Sequence, residues 1–315
     1  MRKLVVQQWG TVDNIAAESP QIMPTLTIHI PDRLMTAISA RSARTGEIEA
    51  QVITAALADA LELDRATLFQ VATSDALAAG VYQGAVSVGV LEQHGDFGLG
   101  TFDGLDGELV ALDGEFFRVD GTGAVSRPGP EVLVPFAVVT DFRSTDPVEI
   151  GPVTSFDDLT ERLDHRRDAG NLFFAVRVDG RFARVKTRAL GGVAEGTSLR
   201  DASMTQAEFE FTDVVGTIVG FWTPSYARTI NVPGWHLHFM TADRKGGGHV
   251  LDCAGTGLQA QLDHVSEVRI AIPETAAFLR ADLSQDRSDD LQVAERDHVV
   301  RGAPAREGNV GQGTG

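Results

Sequence analysis

Three of the eight histidines, His236, His238 and His249, have the spacing of a metal site. His236 and His238 stand two apart in WHLHFM (235–240), which reads as a strand, so both imidazoles leave the same face. The next strand-like run, HVLDC (249–253), follows through ADRKGGG (242–248), which can only be a turn or loop. If residue 238 sits opposite 249 in that antiparallel pair, opposite Cβ atoms would be about 5 Å apart and diagonal ones about 7–8 Å. The nitrogens could then converge on one ion at roughly 2.0–2.1 Å, and three histidines with a position left open is the arrangement of a catalytic zinc. A lone His-x-His reads first as a half-exposed polar face; the third histidine at hairpin distance tips the reading toward a metal. Spacing alone leaves zinc, iron, copper and nickel open, and leaves oxygenation and hydrolysis open as reactions.

The elements that must carry these side chains are mostly strands. EFEF (208–211), GTIVGFW (216–222) and VSEVRIAI (265–272) accompany the two histidine runs. ELVAL (108–112) and EFFRV (115–119) flank Asp113-Gly114, a signal for a two-residue type I′ hairpin. PFAVVTDF (135–142) reads as a buried strand, and LFFAVRVDGRFARVKTRAL (172–190) as a second hairpin turning at Asp179-Gly180. The glycine-dense HGDFGLGTFDGLDGE (94–108) reads as loop. SFDDLTERLDHRRDAG (155–170) reads as an amphipathic helix capped by Ser155 and closed by Gly170, with Phe156, Leu159 and Leu163 on one face. Cys253, ending an apolar strand, reads as a small buried hydrophobe.

Ahead of this body, TLTIHI (25–30) alternates polar and apolar residues, and helical patterns follow over 31–45 and 47–62, with Gly46 between them. One strand and two helices in so short a span cannot bury their own faces and call for a second copy. The order resembles the ribbon–helix–helix family of dimeric DNA-binding modules. That resemblance would turn Thr25, Thr27 and His29 toward a DNA groove, and none of these is basic. Three arginines (33, 41, 44) against six acids (32, 47, 49, 59, 62, 64) give residues 25–64 a net charge of −3. Phosphate binding needs the opposite sign, so a dimerisation element is favoured over a DNA reader. Residues 1–24 read as a flexible lead and 302–315 as a disordered Gly/Pro/polar tail.

The composition is that of an ordinary globular chain: 315 residues, 43% hydrophobic, with 27 basic against 44 acidic residues for a formal charge of −17. No apolar run approaches the roughly 20 residues that span a bilayer, and the N-terminus lacks the apolar stretch of a signal peptide. A single cysteine, Cys253, excludes a disulfide framework and suits a cytoplasmic protein.

The blocks QVATSDALAAGVYQG (70–84), HGDFGLGTFDGLDGELVALDGEFFRV (94–119), PFAVVTDF (135–142), VKTR (185–188) and GTIVGFWTP…NVPGWHLHF…GGHVLD (216–252) together resemble the α-acetolactate decarboxylase family. The likeness runs from about Leu68 to the 290s, within a body read as one decarboxylase domain over 67–301. It implies an α/β (α+β) fold, a two-subdomain mixed β-sheet metalloenzyme preceded by the small N-terminal module. It also implies a zinc cofactor, 2-acetolactate as small-molecule substrate, acetoin and carbon dioxide as products, and a homodimer or higher homo-oligomer. The family's zinc ligands fall on His236, His238 and His249. Its active-site arginine falls on Arg188, its glutamate on Glu108 and its threonine on Thr101. A second glutamate, from the C-terminal segment, falls on Glu295. The chain departs from the family after Arg188, where ALGGVAEGTSL (189–199) replaces a Thr-Val-Pro start.

The implied chemistry accounts for these residue types. Loss of carbon dioxide from a 2-hydroxy-3-keto acid leaves an enediolate, so the barrier is mostly developing negative charge. A Lewis-acidic metal and a bidentate arginine both oppose that cost. A glutamate kept protonated would then deliver the proton to carbon, and the sequence does not choose between Glu108 and Glu295. A regulator that binds DNA through 25–64 and senses a keto acid is the alternative. A cupin-like oxygenase using iron at the same histidines is a third reading.

Overall fold

Two Asp-Gly pairs that look alike in sequence take different conformations in the computed structural model of the chain. Asp113 and Gly114 both have positive φ, 56° and 77°, as a type I′ turn requires. They join Glu108–Leu112 to Glu115–Val119 in an antiparallel ladder. Asp179 and Gly180 instead lie inside one 17-residue strand, Phe173–Ala189, so the hairpin expected there does not form. Leu258 covers Gly180, its Cδ2 lying 2.6 Å from where a Cβ would stand. The Asp179 carboxylate accepts from Arg177 Nε and Thr217 Oγ1, each at 2.6 Å. There the dipeptide permits a close approach in place of a turn.

The structure describes residues 2–3, 27–60, 67–144, 146–194, 196–204, 206–285, 287, 290–291 and 294. It divides into two compact units, 1–65 and 66–315. In the first, Arg2–Lys3 (β1) pairs antiparallel with His29–Ile30 (β2), followed by helices Asp32–Thr45 (α1) and Glu49–Ala60 (α2). Gly46, with φ 78°, ends α1 by donating to the Ser42 carbonyl. The ribbon–helix–helix pattern would pair the strand with a second chain, whereas β2 takes β1 of its own chain, which also makes strand of part of the expected flexible lead. Thr25, the rest of that lead and the tail 302–315 lie outside the described residues.

The second unit runs Thr67–Val71 (β3), Ser74–Ala78 (α3), Val86–Ser87 (β4), Val88–Leu91 (α4), Phe97–Thr101 (β5), Glu108–Leu112 (β6), Glu115–Val119 (β7), Val125–Ser126 (β8), Leu133–Val134 (β9), Phe136–Thr140 (β10) and Val148–Glu149 (β11). It continues through Phe156–Asp164 (α5), Phe173–Ala189 (β12), Leu199–Ser203 (α6), Ala207–Thr223 (β13), Gly234–Thr241 (β14), Gly247–Gly255 (β15), Gln259–Val265 (β16), Glu267–Ala271 (β17) and Ala276–Arg280 (α7). One seven-stranded sheet has the order β17-β3-β10-β5-β6-β7-β8. Its β17–β3 pair is parallel and the other pairs are antiparallel, so the sheet is mixed. The second sheet, β11-β16-β12-β13-β14-β15, closes partly on itself because β15 also pairs with β12.

The two sheets share a core: Phe97, Leu99, Val110 and Phe136 of the first meet Phe173, Val219, Phe221 and Met240 of the second. On the other side of the second sheet, Leu159 and Leu163 of α5 pack on Val176, Val178 and Leu237. Ser155 caps α5 by accepting from Asp158 N at 3.1 Å, and the helix stops at Asp164, short of Gly170. The glycine-dense segment read as loop contains β5, a central strand. A Cβ on Gly98 or Gly100 would stand 2.4 Å from the Val138 or Phe136 carbonyl oxygen, so these glycines let β10 lie close alongside.

Candidate active site

The β14–β15 ladder brings the three histidines together. His238 and His249 are register partners, and His236 leaves β14 on the same face as His238. All three are buried, and each offers a ring nitrogen such that the three atoms lie within 4.8 Å of one another. Among the described residues this is the cluster of His, Cys, Asp or Glu side chains able to hold a metal ion. Ring centroids are 5.1–5.3 Å apart.

Hydrogen bonding fixes the tautomer of one ring. His238 Nδ1 donates to the Leu109 carbonyl at 2.9 Å; a carbonyl can only accept, so the proton sits on Nδ1. Its Nε2 is then a bare lone pair, buried and without a hydrogen-bond partner among the described residues. Burial, and to a lesser extent the positive charge of Arg188, pushes His236 down to about 3. His238 is held well below the ordinary histidine value by burial and by His236. Two imidazoles kept neutral by burial, His238 with its lone pair oriented by a backbone carbonyl, stand beside a third histidine ring, and such nitrogen donors suit a borderline cation such as zinc.

Arg188 lies on β12 directly opposite His249 of β15. It is only 6% exposed, and its Nε has no hydrogen-bond partner among the described residues. Nη1 donates to Gln206 Oε1 at 2.5 Å. Glu108, buried at the start of β6, places Oε2 3.6 Å from His238 Nε2. Its register partner on β5 is Thr101, whose hydroxyl donates to the Gly107 carbonyl at 2.9 Å, one residue before Glu108. The structure therefore gathers His236, His238, His249, Arg188 and Glu108, with Thr101 beside Glu108. Glu295 lies outside the described residues; the preceding Ala294 is buried with Leu105 and Leu190.

The segment that departs from the family pattern also has a position. Gly191 bridges to Asp106, Gly192 N donates to the Leu105 carbonyl at 3.1 Å, and Val193 N donates to the Gly104 carbonyl at 2.9 Å. On its other flank a Cβ on Gly121 would stand 2.5 Å from Gly191 Cα, so the turn after β7 also lies close against this segment. The loop leading to Glu108 is thereby tied to the chain leaving Arg188. Sequence reasoning missed Gln206 and the Leu109 carbonyl. Gln206 stands outside every block quoted above, and a backbone carbonyl has no sequence signature. Of the other histidines, His94 stacks on Phe69 with ring centroids 3.9 Å apart, and His29, His165 and His264 are exposed.

Comparison with known proteins matches residues 68–285 to the family profile described as alpha-acetolactate decarboxylase. A relative of that name from Methanosarcina mazei is 42% identical over 230 residues, 73% of this chain and 80% of that one. Another from Brevibacillus brevis is 36% identical over 229 residues, 72% and 80% of the respective chains. The crystal structure of alpha-acetolactate decarboxylase from Bacillus subtilis strain 168 superposes with a TM-score of 0.71 at 35% identity, covering 73% of this chain and all of that one. A Staphylococcus aureus protein described as similar to alpha-acetolactate decarboxylase gives 0.68 at 28% identity, again over 73% of this chain and all of the other.

Proposed function

The chain belongs to the alpha-acetolactate decarboxylase family and is a carboxy-lyase, and from that premise we propose that it converts 2-acetolactate to acetoin and carbon dioxide with zinc as its cofactor. The observation that carries this reading is the buried three-histidine cluster with Arg188 across the ladder from His249 and Glu108 3.6 Å from His238. His236, His238 and His249 would hold the metal. A bound zinc ion would supply Lewis acidity to the hydroxyl and ketone oxygens of the substrate.

The chain's own residues do the rest. Arg188 binds the substrate carboxylate through its planar fork, in surroundings where burial strengthens the attraction. The bond to the carboxylate breaks, its electron pair stays on the former α carbon, and the charge spreads as an enediolate. Arg188, already charged, needs no reorganisation to oppose it. A carboxylic acid must then protonate that carbon from one side. Glu108 is supported by its burial against the histidines, Glu295 by the burial of its chain neighbour Ala294. Thr101 holds the Gly107 carbonyl and so fixes the approach of Glu108.

The experiment is direct: zinc-loaded protein incubated with 2-acetolactate and assayed for acetoin. Turnover is expected, and its absence at full zinc occupancy overturns the reading. Bound iron in the purified protein would point to the oxygenase chemistry instead.

The first unit we assign to self-association through the apolar faces of its two helices, giving a homodimer or a larger homo-oligomer. Supporting this, α1 buries none of its residues, and Leu34 and Ile48 are 50% and 64% exposed. Covering such apolar surface with a second copy is favourable at roughly 25 cal/mol per Å². The local charge of −3 over 25–64 weighs against DNA as the partner.

A further inference from the structure

Arg188 is buried, charged and held by a neutral group. Nη1 donates to the Gln206 amide oxygen at 2.5 Å, and no carboxylate pairs with Arg188 among the described residues. This is unusual, because buried charges are ordinarily paired with an opposite charge. A carboxylate is close at hand in the fold: Glu208 is the register partner of Arg188 on β13. It pairs instead with Lys186, 2.9 Å away on the diagonal. Gln206 stands immediately before β13 and takes the guanidinium that Glu208 leaves.

The geometry points to Gln206 as the positioning residue that aims Arg188 at an anionic substrate without neutralising it. An amide oxygen accepts one N–H, which fixes the plane of the fork, and it adds no negative charge. The remaining N–H groups, Nε among them, keep their full attraction for an incoming carboxylate. A glutamate at this position would hold the arginine equally well and cancel its charge. Gln206 thus acts through Arg188, and it discriminates a charged ligand from a neutral one. The inference rests on the carboxylate-binding role given to Arg188 above.

The test compares two ligands on zinc-loaded full-length protein by calorimetry: 2-hydroxy-2-methylbutanoate, which carries the carboxylate, and acetoin, which does not. Gln206→Glu should weaken the hydroxy acid by roughly tenfold or more, the scale of one charge-assisted hydrogen bond, and leave acetoin within about twofold. Gln206→Met, which keeps the length of the side chain and removes the acceptor, should weaken the hydroxy acid less and keep its zinc. In turnover, KM for 2-acetolactate should rise more than kcat falls in Gln206→Glu. Equal weakening of both ligands in both variants would make Gln206 a merely structural residue, and no weakening of either would remove its role; each overturns the inference. Wild-type protein that makes no acetoin would instead overturn the functional reading, so the two failures are separable.

Discussion

Arg188 and His249 are cross-strand partners on β12 and β15, so an arginine and a candidate metal ligand are held in one register by backbone hydrogen bonds. Gly248, with φ 126°, makes that pairing possible, since a Cβ there would stand 2.5 Å from the Arg188 carbonyl oxygen. Arg188→Ala should therefore leave the histidines in place while removing the charge beside them. We expect kcat to fall by about 10²–10³, the cost of one preorganised donor, with zinc content unchanged. Arg188→Lys should recover little, because a point charge does not reproduce a planar fork. Steady-state kinetics beside elemental analysis checks this; loss of zinc along with activity would contradict it.

His238→Ala should behave in the opposite way and lose metal and activity together. Removing this ring also leaves the buried Leu109 carbonyl without its 2.9 Å donor, a cost of about 1–3 kcal/mol. A ligand that binds only the folded state raises its melting temperature. Chelation should thus lower Tm of the wild type and leave that of His238→Ala unmoved. A variant that keeps its zinc would take His238 out of the ligand set.

The opposition of residues 238 and 249 was readable because one short glycine-rich turn separates two strand-like runs, and strand geometry does the rest. The Asp113-Gly114 hairpin was readable for the same local reason. Asp179-Gly180 was not, because its outcome is set by Leu258 and Thr217, far away in sequence. The β5 glycines misled in the same way: their role is to admit β10, a neighbour that no local pattern names. Gln206 escaped because a polar residue ahead of a strand looks like any other until its arginine partner is placed beside it.

Gly100→Ala tests the reading of β5. The added methyl would stand 2.4 Å from the Phe136 oxygen and 2.7 Å from Ala137 Cα, both backbone atoms of a central strand that cannot step aside. Overpacking of this kind costs about 1–3 kcal/mol. Gly170→Ala, with nothing within 4 Å, is the matched control. Urea unfolding should separate the two, and equal midpoints would mean that β10 yields more easily than its neighbours suggest.

Cys253 supplies a prediction about pH. Burial pushes its thiol up to about 12, whereas in the unfolded chain it titrates near its ordinary value of roughly 8.5. Above that value the unfolded state releases the proton while the native state keeps it, so stability falls as pH rises. The contribution is fully present below the unfolded value and lost through the folded one. The urea midpoint of the wild type should drop between pH 8 and pH 10 by more than that of Cys253→Ala. In native protein at pH 8 the thiol should resist disulfide reagents and react at once in urea. Rapid native labelling would show an accessible thiolate.

Removing residues 1–66 takes away the whole first unit, cutting one residue past the boundary between 65 and 66. Every residue gathered around the histidines belongs to the second unit, whose sheets bury their own core. The truncated chain should fold and keep its decarboxylase activity per site. Its assembly should shrink, because the exposed apolar residues of α1 and the segment after it are gone. Light scattering on both proteins reads this directly. An unchanged assembly would show that the second unit associates through its own surface and would release the first unit for another partner. Tight, salt-sensitive binding of upstream DNA by the full chain alone would then identify that partner, against the expectation set by six acids and three arginines in 25–64.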